Sequence, residues 1–265
     1  MLSLQAQKVL QEYFNLPFPG VEGVRCPYFN NARLRQRAQL RVLVGKGTPK
    51  DIVEEAQIIS LQYHEGLFDR SGNCCLHGES GCVGAAESVR KFLVDHNLGI
   101  ECSGFVTQIL RAHFRETKNV DIAHKFFKVP MGNFFRFLIS KLRPVENISV
   151  RTYADNRNTE VVGNWSEAKP GDVIVLLGIK IDKGRNHILL ITENENNKIK
   201  YVHARAWGIE GKYGHGVSAG EIEIVKPEGK LSEQNWLELG KTGSENETWR
   251  EVLEAESAEV RQVKV

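Results

Sequence analysis

The strongest constraint on the fold is a change of hydrophobic period in the second half of the chain. From Pro170 onward, short segments rich in Val, Ile and Leu are separated by Gly, Asn or Lys. Apolar runs of this length, bounded by turn residues, are typical of strands in an antiparallel sheet. The segment ENENNK at 193–198 predicts a hairpin between two of them. The four predicted strands lie at 170–178, 186–193, 198–206 and 220–227.

Helical periodicity dominates the chain before Pro170. Thr48, Pro49 and Asp51 form a helix start, because Thr is a good N-cap, Pro fits the first helical position and Asp can reach back to the cap. Helices that lead and strands that follow predict an α+β protein. The predicted helices lie within 1–18, from Thr48 to about 63, at about 85–95, from Cys102 onward, at about 133–142, around Trp236 and at 247–259.

The charge balance limits the classes of partner. The 265 residues include 35 basic and 33 acidic side chains, and a net charge of +2 argues against a surface built for nucleic acid or an anionic membrane. The basic stretch 33–50 is an exception, but the alternation of Leu40, Val42 and Val44 favours a strand or extended arm over a nucleic-acid site. With no apolar run long enough to span a bilayer and no signal-peptide pattern, we expect a cytoplasmic protein, with extracellular action left open.

One cysteine occupies a position suited to catalysis. The chain has five cysteines, so at least one is not paired within it, and Cys102 falls in the first turn of a predicted helix. A helix N-terminus stabilises a thiolate through its dipole and free amide hydrogens. Gly104 lets other groups approach the sulfur closely. The alternative is that Cys102 is a small buried hydrophobic residue.

Two histidines lie on neighbouring predicted strands. Strand alternation sends His187, Leu189 and Ile191 to one face, and Tyr201 and His203 share one face of the next strand. The hairpin between the strands makes the two imidazoles cross-strand neighbours. These residue types match a nucleophile, a base and an orienting group, with Cys102 as the thiol, His187 as the proton acceptor and His203 fixing its tautomer.

Four short motifs occur in a characteristic order. They are Glu101-Cys102-Ser103-Gly104-Phe105-Val106, Lys169-Pro170-Gly171-Asp172-Val173, Asn186-His187-Ile188-Leu189-Leu190 and Tyr201-Val202-His203-Ala204. This combination resembles the NlpC/P60 family of cysteine peptidases over about residues 85–226. The resemblance implies a papain-like core in which the Cys-bearing helix packs on an antiparallel sheet, and hydrolysis of amide bonds, typically in cell-wall peptides. It makes Cys102 the nucleophile, His187 the base and His203 the third polar residue.

The predicted function is therefore hydrolysis of a peptide or amide bond through an acyl-thioester on Cys102. An amidase or acyltransferase with the same three residues is an alternative, as is a non-catalytic binding or scaffolding module that retains the fold. The non-catalytic module is favoured by the absence of Tyr from residues 83–100, where the family usually carries one. The expected partner is a peptide or amide substrate, possibly a peptidoglycan fragment, with no nucleic acid and no membrane; the oligomeric state stays open.

The remaining predictions concern domains and cofactors. We expect a helical N-terminal extension with a Cys-rich loop at 1–84, a catalytic core at 85–230 with an insertion or lid within 117–165, and a C-terminal tail at 231–265 packed on the core. No cofactor or metal is expected, because the adjacent cysteines at 74 and 75 fit a single tetrahedral zinc site poorly. That loop holds Cys74, Cys75, His77 and Cys82, for which reduced thiols or a disulfide are the alternatives.

Overall fold

The computed structural model describes residues 1–29, 41–74, 85–128 and 141–265. The protein is α+β, with helices and an eight-stranded antiparallel sheet. The chain forms two compact units. The first contains residues 1–7, 102–203 and 218–265, and the second contains residues 8–101 and 204–217.

The helices of the first half begin and end close to their predicted limits. The helix predicted from Cys102 and the capped helix after Thr48 are both present. In chain order the helices are α1 (Leu4–Phe14), α2 (Pro49–Gln62), α3 (Ala85–Asp95), α4 (Cys102–Lys118), α5 (Ile122–Lys125), α6 (Val150–Ala154), α7 (Gly211–Gly214) and α8 (Glu247–Glu254). Short 3-10 turns occur at Val42–Val44, Trp165–Glu167, Lys180–Asp182, Gly208–Glu210, Leu231–Glu233 and Gly243–Glu245.

Three predicted strands are confirmed, the fourth lies at Gly216–Glu223 rather than at 220–227, and four further strands complete the sheet. The strands are β1 (Thr159–Val161), β2 (Val173–Ile179), β3 (Arg185–Glu195), β4 (Lys198–Arg205), β5 (Gly216–Glu223), β6 (Asn235–Glu238), β7 (Lys241–Thr242) and β8 (Ser257–Val263). Their spatial order is β1-β8-β2-β3-β4-β5-β6-β7. The last long strand, β8, therefore inserts between β1 and β2.

The central strands of the first unit are buried on both faces. Ile174, Leu189 and Tyr201 belong to one apolar cluster, which Val252 of α8 joins. Val173 and the other residues that alternate with this set are also fully buried. Both α4 and α6 contact β3, and α6 also contacts β2 and β8. Burial of both faces explains why β2 and β3 are continuous apolar runs rather than alternating ones.

The second unit contains the helix that the sequence defines most precisely. Thr48 accepts a hydrogen bond from the backbone of Asp51, and the Asp51 carboxylate accepts one from the backbone of Thr48, so α2 has a capping box. Its inward face includes Ile52 and Ala56, which are fully buried, whereas Tyr63 at its C-terminal end is 61% exposed. The N-terminal half of the chain thus follows local rules closely.

Three predictions of secondary structure are wrong. Residues Val42–Val44 form a 3-10 turn rather than part of a strand, Trp236 lies in β6 rather than in a helix, and residues 257–263 form β8. Strands β6 and β8 gain their backbone partners from distant parts of the chain, which local periodicity cannot show. Residues 133–140 of the predicted helix at 133–142, residues 33–40 of the basic stretch, and Cys75, His77 and Cys82 lie outside the described residues.

The β3–β4 hairpin turn offers a test of how the two histidine strands are aligned. Asn196 and Asn197 connect the paired residues Glu195 and Lys198, and both asparagines have positive φ, as a type I′ turn requires. We expect Asn197→Ala to lower the free energy of unfolding by about 1 kcal/mol, because a Cβ-bearing residue without the Asn side chain resists left-handed backbone. Asn197→Gly should be neutral or stabilising. Urea unfolding of both variants checks this, and equal losses would contradict the turn assignment.

Candidate active site

The two predicted histidines meet in the interior of the first unit. The β3–β4 register pairs Leu190 with Val202 and Ile191 with Tyr201. When this register is continued toward the start of β3, His187 and His203 become diagonal neighbours on one face of the sheet. His187 Nε2 lies 2.8 Å from His203 Nδ1, and both side chains are essentially inaccessible to solvent. The prediction that these residues are neighbours is confirmed.

The chain of hydrogen bonds continues to a carboxylate on β6. Both carboxylate oxygens of Glu238 lie 3.2 Å from His203 Nε2, and Glu238 is 1% exposed. The three side chains therefore form one connected line, His187–His203–Glu238, which we call the relay. All of its members belong to the first compact unit.

Three hydroxyl groups complete the surroundings of the Glu238 carboxylate. Tyr201 Oη donates to Oε2 at 3.0 Å, Thr248 Oγ1 donates to Oε2 at 2.8 Å, and Ser218 Oγ donates to Oε1 at 2.7 Å. A buried carboxylate is costly unless hydrogen bonds replace its lost hydration. The donors come from β4, β5 and α8, so three elements converge on this one charge.

Cys102 occupies the position that the sequence predicts. It is the first residue of the 17-residue helix α4, and its side chain is 7% exposed. The helix packs against β3, the strand that carries His187. At the N-terminus of α4, the helix dipole favours the thiolate.

The residue before the thiol is charged but neutralised. Glu101 forms an ion pair with Lys46, whose side chain is almost fully buried. Both members of this ion pair belong to the second unit.

The Pro-Gly-Asp motif has a structural role in the described contacts. The backbone N–H of Lys169 donates to the Asp172 carboxylate at 2.7 Å, and Gly171 adopts φ +100°, which residues with a Cβ rarely tolerate. Burial raises the pKa of the Asp172 carboxyl, partly opposed by that backbone donor. The motif forms the tight turn from which β2 starts.

Glu238 is the residue that the sequence analysis missed. The signal that could have found it is an inverted pattern on β6, in which Trp236 and Glu238 are buried while Leu237 and Leu239 are 44% and 56% exposed. An acidic residue that takes the buried position beside exposed leucines indicates a specific polar environment. Assigning the region around Trp236 to a helix concealed this two-residue period.

Across the described parts of the chain, no group of three or more His, Cys, Asp or Glu side chains is arranged to hold a metal ion. In those same parts, no helix combines the length and the apolar character needed to cross a bilayer. Comparison with protein-family models, with curated proteins and with solved structures finds no match to this chain. The chemistry of the site therefore carries the functional interpretation.

The charge on Glu238 can be tested through its hydroxyl donors. Tyr201→Phe removes a hydrogen bond to a carboxylate, whereas Tyr153→Phe removes a bond of 2.8 Å to the neutral hydroxyl of Thr107. Both tyrosines are fully buried in the first unit, so they form a matched pair. We expect losses of unfolding free energy of about 2 kcal/mol for Tyr201→Phe and about 1 kcal/mol for Tyr153→Phe, because bonds to charged groups are stronger. Urea denaturation measures both, and equal losses would argue against a charged Glu238.

Proposed function

We propose that this protein is a cysteine hydrolase with a papain-like core of the NlpC/P60 type, and that it cleaves a peptide or amide bond. The observation that carries the proposal is the buried relay, which ends at His187 on the strand against which the Cys102 helix packs. A hydrogen-bonded imidazole pair anchored on a carboxylate supports proton transfer to and from a thiol. The cell-wall peptide class follows from the sequence resemblance alone.

The proposed reaction begins with transfer of the Cys102 thiol proton to His187. The thiolate attacks the carbonyl carbon of the substrate, forming an S–C bond and a tetrahedral oxyanion, to which the Cys102 backbone N–H can donate. Collapse of this intermediate breaks the C–N bond, and His187 returns its proton to the departing amine. The product of this half-reaction is an acyl-thioester on Cys102.

The second half-reaction restores the enzyme. His187 accepts a proton from water as the water oxygen attacks the thioester carbonyl carbon. The C–S bond then breaks, the carboxylic acid leaves, and the proton on His187 returns to the Cys102 sulfur. An acyltransferase would replace this water with an amine or alcohol and use the same residues, so only analysis of the products separates the two activities.

The proposal requires Cys102 Sγ and His187 to meet near the start of β3, and thiol reactivity tests this requirement. Cys74 is a suitable internal reference, because its 5% exposure nearly equals the 7% of Cys102. Cys26 serves as an inert reference, because burial raises the pKa of its thiol.

We expect iodoacetamide at pH 7 to modify Cys102 at least about tenfold faster than Cys74, because an ordinary thiol is only a few per cent thiolate at that pH. His187→Ala should remove most of this advantage. Mass spectrometry of the digested protein measures the rate at each cysteine. Equal rates in the unaltered protein would favour a non-catalytic binding module.

Hydrolysis itself is tested with peptidoglycan fragments and with synthetic peptides, followed by mass spectrometry of the products. Cys102→Ala should abolish cleavage of any substrate found, because it removes the nucleophile. Cys74→Ala is the matched control and should retain the activity. Full activity in Cys102→Ala would refute the assignment of the nucleophile.

A further inference from the structure

We infer that Glu238 is a positioning residue that fixes the tautomers of both relay histidines, so that Nδ1 of His187 is the atom that accepts the Cys102 proton. The inference rests on the proposed function and adds to it a residue and a specific nitrogen atom. It is carried by the line of hydrogen bonds from Glu238 through His203 to His187.

The first step concerns the charge of Glu238. Its carboxylate oxygens face the hydroxyls of Tyr201, Ser218 and Thr248 and the imidazole of His203. The three hydroxyl donors around this one buried carboxyl group stabilise its ionised form. An ionised carboxylate has no proton and can only accept hydrogen bonds.

The charge of Glu238 determines which ring nitrogen is protonated in His203 and then in His187. Because Glu238 only accepts, His203 must carry a proton on Nε2 in order to donate to it. A neutral His203 then has a bare Nδ1, which lies 2.8 Å from His187 Nε2 and accepts a hydrogen bond from it. His187 must therefore carry its proton on Nε2, and its basic lone pair is on Nδ1.

Glu238 also affects the protonated form of His187. When His187 takes up a proton on Nδ1, the buried relay changes from a net charge of −1 to a net charge of zero. The anion on Glu238 stabilises the new imidazolium through His203, since charge interactions are strong where water is excluded. Glu238 thus assists the proton transfer without contacting the thiol.

A purely structural Glu238, one that only joins β6 to α8, would leave the histidine tautomers undetermined. Glu238→Gln separates the two roles, because it keeps the volume and removes the charge. The amide can donate as well as accept, so His203 is no longer obliged to protonate Nε2. The matched control is Glu251→Gln, which alters another buried carboxylate of the same unit, one paired with Arg185 at 3.0 Å.

The experiment is NMR of the full chain with ¹⁵N-labelled histidine, in which two-bond couplings identify the protonated ring nitrogen. Signals are assigned by their loss in His187→Gln and His203→Gln. In the unaltered protein, at a pH high enough for His187 to be neutral, we expect both residues as Nε2–H tautomers. Glu238→Gln should convert them to a mixture or to Nδ1–H tautomers and shift the protonation of His187 to lower pH by about one unit, whereas Glu251→Gln should change neither.

A neutral Nδ1–H tautomer for either histidine in the unaltered protein would overturn the inference, and this measurement does not depend on the variant folding. Unchanged tautomers in a folded Glu238→Gln would overturn it as well. The proposed function is judged separately by the reactivity of Cys102. Equal labelling of Cys102 and Cys74 together with Nε2–H tautomers would reject the hydrolase and leave the proton arrangement of the relay intact.

Discussion

The buried carboxyl group of Glu238 is the point at which several elements of this sheet meet through hydrogen bonds. A carboxylate removed from water must recover its hydration from protein donors, and each donor must be held at hydrogen-bonding distance. Here hydroxyl donors are supplied by Tyr201 of β4, Ser218 of β5 and Thr248 of α8, and the imidazole of His203 lies at hydrogen-bonding distance. The positions of these elements are therefore coupled to one another through a single side chain.

This coupling gives the second histidine a defined environment on both sides. On one side of the His203 ring stands an acceptor, Glu238, and on the other stands His187. An imidazole between two polar partners cannot rotate or exchange tautomers without breaking a hydrogen bond. A general base needs this kind of support, because its reactive lone pair must remain on one nitrogen atom throughout the reaction.

Much of the fold follows from local sequence rules. The remaining elements depend on contacts between residues that are far apart in the sequence. The capping of α2 at Thr48 and the start of α4 at Cys102 are visible because cap residues and helical spacing act over a few residues. Strands β3 and β4 are visible because apolar runs flank an Asn-rich turn. The histidine pair follows from the pairing of these strands. The structure therefore brings together two of the three predicted site residues, His187 and His203.

Strands β6 and β8 were missed because their partners are far away in the sequence. With β6 assigned to a helix, Glu238 had no predicted neighbours, and a lone Glu is normally a solvent-exposed residue. Its burial depends on donors that tertiary structure alone assembles, 10 to 37 residues away along the chain. The carboxylate end of the relay is thus a property of the sheet rather than of any short motif.

The proposed activity requires the Cys102 thiol and the relay to exchange a proton. The most direct measurement is the thiolate absorbance at 240 nm as a function of pH, taken as the difference between the unaltered protein and Cys102→Ser, with and without His187→Gln. We expect thiolate to be present already below pH 7 and to be lost when His187 is replaced. A Cys102 that ionises near the ordinary thiol value of about 8.5, and is indifferent to His187→Gln, would contradict it.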